Sequence, residues 1–198
     1  MSPPRENPDR SSSAVLQAEF SPDERRLLLK VAHDAIGSGV NQRELSFPEI
    51  PPHLAEPRGA FTTIYHAGEL RGCVGYVVAV VPLFQTVAET ARAAALDDMR
   101  FSPVTPDEVP HIEVVLSILS PLVPISPDQV EIGRHGLVVT LGMRRGLLLP
   151  QVPSEHGWDR ETFLSQTCHK AGLPLDAWQH GATIEAFTAE VFGDRDVR

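Results

Sequence analysis

The segment Leu70-Arg71-Gly72-Cys73-Val74-Gly75 holds one of the chain's two cysteines between glycines, directly after an arginine. A cysteine thiolate is a nucleophile and a soft metal ligand, and a neighbouring guanidinium both favours the thiolate and holds anions. Glycine permits a sharp turn or a close backbone approach to a ligand. The segment reads as a backbone-lined notch in which Cys73 is nucleophile or ligand and Arg71 holds the anionic part of a substrate. The backbone at Gly72 and Gly75 lies against that ligand, and amides beside such a turn can form an oxyanion hole. His66 precedes the cysteine across a presumed hairpin turn. If the arms pair so that the two side chains face each other, its imidazole is the thiol's base, or a second metal ligand. The plain alternative is a small apolar residue packed in a strand. A tetrahedral metal site needs about three or four ligands, and no Cys-x-x-Cys or His-Glu-x-x-His spacing occurs. The metal is therefore left unassigned, and no cofactor is expected.

Two further segments carry candidate ligand-binding residues. In Asp98-Met99-Arg100-Phe101, Arg100 would bind an anionic substrate and Asp98 would orient it. The alternative is an ion pair at a helix end, with Phe101 plugging the core. In Pro150 to Asp159, Gln151 and Glu155 would line a cleft with Trp158 as one wall. The alternative is a packed loop that the tryptophan anchors. Cys168 follows Leu164 at helical spacing and reads as core. The remaining histidines form no ligand pattern.

The elements that must position these residues follow from pattern. Residues 1–18, rich in Pro, Ser, Arg and Asp, read as a disordered lead-in. Ser21-Pro22-Asp23-Glu24 is a capping box with proline at N1, opening a helix that carries Leu28, Val31, Ala32, Ala35 and Ile36 and ends at Gly37. Ala60 to His66 and Leu70 to Ala79 form a hairpin around Ala67-Gly68-Glu69, with a bulge or a close backbone approach at its glycines. Pro82 opens a second helix ending near Asp97. Ile112 to Leu119 is a central strand, and His135 to Leu141 pairs with Gly146 to Leu149. Asp159 caps a third helix that Gly172 and Pro174 stop. Thr183 to Phe192 is a last strand. Helices and strands do not alternate strictly, so the class is α+β with a mostly antiparallel sheet and flanking helices.

Composition bounds the function. At 198 residues the chain fits one domain, here residues 19–198, and 42% apolar content suffices for a core. A net charge of −9 and a pI near 5.3 argue against a nucleic-acid partner. No apolar run is long enough to cross a bilayer, and the start of the chain lacks the order of a signal peptide. With two cysteines and 18 prolines, the expectation is a cytoplasmic protein with free thiols and many rigid connectors.

With these residues in view, the chain resembles the AMMECR domain family, named for the AMME-syndrome candidate chromosomal region. The resemblance rests on the segment around Cys73, on Asp98-Met99-Arg100-Phe101-Ser102-Pro103 and on Gly146-Leu147-Leu148-Leu149-Pro150-Gln151-Val152. It rests equally on Trp158-Asp159-Arg160-Glu161-Thr162-Phe163-Leu164 and Cys168-His169-Lys170-Ala171-Gly172-Leu173-Pro174. Val74 stands where isoleucine is commoner. Phe61-Thr62-Thr63-Ile64 replaces a Phe-Val-Thr-Leu-like strand. The resemblance implies two lobes with the Arg-Gly-Cys segment facing a cleft between them, and no settled activity. It also implies association with Memo-like and radical-SAM proteins, in a pathway acting on a small molecule or a protein. The leading expectation is an enzyme or its substrate-handling component, with a small-molecule or peptide ligand. The other is a non-catalytic module whose groove receives a peptide or partner.

Overall fold

The structure, a computed structural model, describes residues 18–78 and 80–197. The expected lead-in lies, but for Ala18, outside the described residues. Helix α1 (Pro22–Val40) starts at the expected capping box: Ser21 accepts the Glu24 amide, and Glu24 accepts the Ser21 amide. It runs past Gly37, where the sequence suggested a stop. Gly39 lies under the aliphatic stem of Arg92, so packing against the second helix extends the first beyond its local preference.

Strands β1 (Ala60–His66) and β2 (Glu69–Tyr76), helix α2 (Leu83–Leu96) and strand β3 (Ile112–Leu119) follow. Beyond them lie β4 (Val123–Pro124), the hairpin β5 (Gly136–Leu141) and β6 (Arg144–Leu148), and the short helix α3 (Gln151–His156). Helix α4 (Arg160–Lys170) is capped by Asp159, as its sequence suggested, and β7 (Thr183–Phe187) and β8 (Ala189–Gly193) close the chain. The strands form two antiparallel sheets, β2-β1-β3-β8 and β4-β7-β5-β6, which makes the fold α+β. Helices α1 and α2 cover one face of the first sheet around Leu28, Ile36, Ile64, Val87 and Leu116. Helix α4 covers one face of the second around Leu137, Val139, Phe163 and Leu164.

The single last strand read from Thr183 to Phe192 is two. β7 belongs to the second sheet and β8 to the first, while β3 leaves the first sheet to become β4 of the second. Both passes switch sheets at one joint. The Ser120 amide donates to the Thr188 carbonyl at 2.9 Å, and the Thr188 amide donates to Ser120 Oγ at 3.0 Å. Around that joint Leu119, Val138 and Phe187 pack with Phe61, Val77 and Leu147, joining the uncovered faces of the sheets. Strand corners of this kind are how one antiparallel pair serves two sheets.

Glycines set the layer spacing. A Cβ on Gly72 of β2 would overlap the carbonyl oxygen of Ala94 in α2 and lie 3.0 Å from its carbonyl carbon. A Cβ on Gly146 of β6 would lie 2.7 Å from the Cα of Ala171, at the end of α4. The backbone obstacle cannot rotate away as a side chain can. Gly72→Ala is therefore expected to cost about 3 kcal/mol and lower the melting temperature by roughly 6–12 °C. Gly142→Ala, at a turn with φ of +61° and open space around it, should cost only about 1 kcal/mol. Urea and thermal unfolding of the two variants measure this; equal losses would show that the contact with α2 does not set the cost.

Candidate functional site

The hairpin that carries Cys73 turns on two residues, Ala67 and Gly68, with φ of 51° and 83°. A turn with two left-handed residues matches the strand twist and fixes the register at its base. His66 pairs with Glu69 and Tyr65 with Leu70, after which the register shifts and Ile64 pairs with Gly72. Arg71 is the extra residue of a β-bulge, as the glycines there suggested. Thr63, not His66, lies opposite Cys73. Strand alternation puts His66 on the side of Thr62 and Ile64, which is the reverse face. Its ring neighbour is His111, with centroids 6.5 Å apart. The expected base is thus not placed against the thiol. Cys73 Sγ instead meets Thr63 Oγ1 at 3.2 Å on the half-exposed face of the first sheet.

The other parts of the expected notch are engaged in internal contacts. Arg71 Nε donates to Glu108 Oε1 at 2.8 Å, Nη1 to the Ser102 carbonyl at 2.7 Å and Nη2 to the Pro103 carbonyl at 3.3 Å. This guanidinium ties the loop after α2 to the strand, and the Glu108 carboxylate already meets its charge. The missing Cβ of Gly72 makes room for α2, as above. That of Gly75 makes room for the cross-strand ring of Phe61, whose Cε1 would lie 2.6 Å from it. The glycines do mark close approaches, but the approaching group is a helix backbone or a phenyl ring.

Asp98 and Arg100 act together on the same residue. The Cys73 amide donates to Asp98 Oδ2 at 2.9 Å, and Arg100 Nη2 reaches the Cys73 carbonyl at 3.3 Å. Arg100 also donates to Asp98, Nε to Oδ1 at 3.0 Å and Nη2 to Oδ2 at 2.7 Å. β2 is an edge strand, and this pair occupies the outward amide and carbonyl of its cysteine. The guanidinium first, and then the Cys73 amide, hold the Asp98 carboxyl well below the usual carboxylate range against the opposing pull of burial. Phe101 is half-buried, with the Arg100 guanidinium 5.5 Å from its ring centre. Among the described residues no three His, Cys, Asp or Glu side chains gather as a metal site would require.

The second group of candidates is dispersed. Gln151 is the first residue of α3 and exposed, at the edge of a depression of about 430 Å³ with Ser154, Arg134 and Val191. Glu155 points to solvent. Trp158 packs against the α4 core and stacks on His156 with centroids 4.7 Å apart, so it anchors a loop and is not a wall beside Cys73. Cys168 is buried, and burial pushes its thiol up.

Sequence reasoning missed the opposite edge of the first sheet. The Ser120 amide donates to Thr188 and the Asp194 amide to Val114, so bonded pairs fall on even-numbered residues of β8. Ala189, Val191 and Gly193 therefore turn their amides and carbonyls outward. Asp196 meets both groups of Gly193, with its carboxylate at 2.8 Å from the amide and its own amide at 3.0 Å from the carbonyl. Among the described residues nothing meets the outward groups of Ala189 and Val191, and Val191 is 59% exposed. A second depression of about 320 Å³ lies along the same strand on the α1 side, bounded by Glu19, Arg25 and Glu190. The turn after β7 hid this edge, since one unbroken strand reads as a core element.

The chain is similar to known proteins over most of its length. The family model AMMECR1 matches residues 29–192. A protein of Thermococcus gammatolerans is 44% identical over 179 residues, covering 83% of this chain and 87% of its own. One of Methanothermobacter thermautotrophicus is 42% identical over 185 residues, covering 88% and 96%. The crystal structure of the uncharacterized protein PH0010 from Pyrococcus horikoshii superimposes with a TM-score of 0.72 at 38% identity, over 86% of this chain and 91% of that one.

The clamp around Arg71 is sensitive to acid. Arg71 first, and then the Thr105 amide, pull Glu108 from an ordinary value of 4.5 down to about 2. A carboxyl whose pKa is lowered by folding stabilises the fold fully above its unfolded value and loses that contribution as pH falls through its folded value. Glu108→Gln should therefore cost about 2 kcal/mol at neutral pH, with the difference from wild type shrinking as pH falls from about 4.5 toward 2. Urea unfolding across that range measures it; a difference independent of pH would show that the ion pair does not carry the clamp.

Proposed function

The chain belongs to the AMMECR1 family, and from that premise we infer that it works as a binding module that takes an extended peptide on the outer edge of β8. The observation that carries this reading is the contrast between the two edges of the first sheet. Asp98 and Arg100 close the β2 edge at Cys73, whereas on the β8 edge the outward amide and carbonyl groups of Ala189 and Val191 have no partner among the described residues. An added strand gains main-chain hydrogen bonds from such an edge and specificity from pockets that receive its alternate side chains. Depressions of about 320 Å³ and 430 Å³ flank β8, and both include Ala189 and Val191 in their walls. Side chains of a bound strand alternate between them, meeting Glu19 and Arg25 on one side and Gln151, Ser154 and Arg134 on the other. The Memo-like and radical-SAM proteins that the family resemblance implies are the first candidates to supply the strand.

Catalysis at Cys73, the other reading, has in its favour a half-exposed sulfur on the open sheet face. Against it stand the commitment of Arg71 to Glu108 and the place of His66 on the reverse face. The binding module therefore fits the geometry better.

Peptides selected from a random library displayed on phage test the reading. Selected peptides should slow hydrogen exchange at the Ala189 and Val191 amides. Val191→Pro removes an outward amide that the ladder does not use, so the sheet tolerates it. It should weaken binding at least about tenfold with little change in melting temperature, while Cys73→Ala leaves affinity unchanged. Failure to select a peptide, or binding that survives Val191→Pro and disappears in Cys73→Ala, would overturn it.

A further inference from the structure

A third depression, of about 340 Å³, shares no lining residue with those at the β8 edge and lies where the segment after α1 crosses the groove between α1 and α2. Its apolar lining comes from Ala35 of α1, Leu45 and Phe47 of the crossing segment, and Ala88 of α2. Phe47 is 40% exposed and is held edge-on against Phe84, with ring centroids 4.9 Å apart. The polar lining includes Arg43 and Arg92.

These two arginines stand out electrostatically. Among the described residues every lysine and arginine side chain has a hydrogen-bond or ion-pair partner except those of Arg43, Arg92 and Lys170, and two of those three line one depression. Nor do they cap α1. The carbonyls of Gly37, Ser38 and Gly39 already accept the amides of Asn41, Arg43 and Gln42, and Asn41 Nδ2 also donates to Gly37. Arg92 is positioned by packing: a Cβ on Gly39 would lie 3.1 Å from its Cγ, so the missing side chain lets the arginine stem lie across α1. One carboxylate, Glu89, shares the lining and pairs with neither arginine. The depression is thus net positive in a chain of net charge −9. An apolar pocket of a few hundred cubic ångströms with a small number of polar groups at its rim is the form that small-molecule sites take. Unpaired guanidiniums are suited to a carboxylate, which either can hold through parallel hydrogen bonds.

We propose that this depression binds a small apolar carboxylate, with its body against Leu45, Phe47 and Ala88 and its carboxylate held by Arg43 and Arg92. The ring of Phe47 favours a flat body, because an exposed aromatic face gains from offset stacking. The site is independent of the peptide edge, since it shares no residue with it.

Titration of the full chain with 1-naphthoate, followed by amide chemical shifts, tests the proposal. The expected result is saturable binding with shifts concentrated in residues 35–47 and 85–92. The uncharged 1-naphthalenemethanol should bind at least about tenfold more weakly, as should 1-naphthoate to the Arg43→Gln, Arg92→Gln double variant. Both positions are exposed, so the variant is expected to keep its circular dichroism and melting temperature. A lack of saturation, shifts centred elsewhere, or equal affinity for the neutral analogue or in the double variant would each overturn the assignment.

Discussion

Helix α2 approaches the first sheet at Gly72 so closely that the carbonyl of Ala94 occupies the space of a side chain. That approach brings the end of α2, and the loop after it, alongside the edge strand β2. Once there, Asp98 and Arg100 reach the backbone of Cys73, and Arg71 reaches Ser102, Pro103 and Glu108. The bulge at Arg71 gives the guanidinium its outward path. Helix spacing, edge closure and loop anchoring are consequences of one missing methyl group.

The second sheet repeats the device. Gly146 admits the end of α4 as Gly72 admits α2, and the ring of Phe187 lies over Gly136 as that of Phe61 lies over Gly75. In both cross-strand pairs an aromatic ring fills the space above a glycine, which restores the packing that the glycine alone would forfeit. Both rings belong to the cluster that joins the sheets, next to the Ser120–Thr188 joint. At Gly75 the ring of Phe61 thus fills the space that a notch-like reading of the glycine assigned to a ligand.

The two edges of the first sheet differ. An unpaired strand edge is both a hazard and a docking device, and proteins close the edges they do not use. Here charged side chains close one edge, while the other has, among the described residues, unpaired backbone groups between two depressions. At β2 the Cys73 amide meets Asp98 at 2.9 Å in a partly buried contact, while the Arg100 contact to the carbonyl, at 3.3 Å, is exposed.

Much of the architecture was legible along the chain. The capping box at Ser21, the Asp159 cap, the period of α2 and the central place of β3 all follow from local preference and apolar spacing. The break after Phe187 was not, because Thr188 is as good a strand residue as its neighbours and only pairing partners reveal a change of sheet. Of the candidate residues, local pattern marked two segments that the fold brings together, Arg71 to Gly75 and Asp98 to Phe101, and the kind of backbone approach their glycines permit, but it left the β8 edge unmarked. What approaches is a property of the assembled fold. A glycine records that a volume must stay empty, and an arginine that a charge must be met. Neither records whether a ligand or the protein's own backbone does so, because that depends on residues brought together from distant parts of the chain.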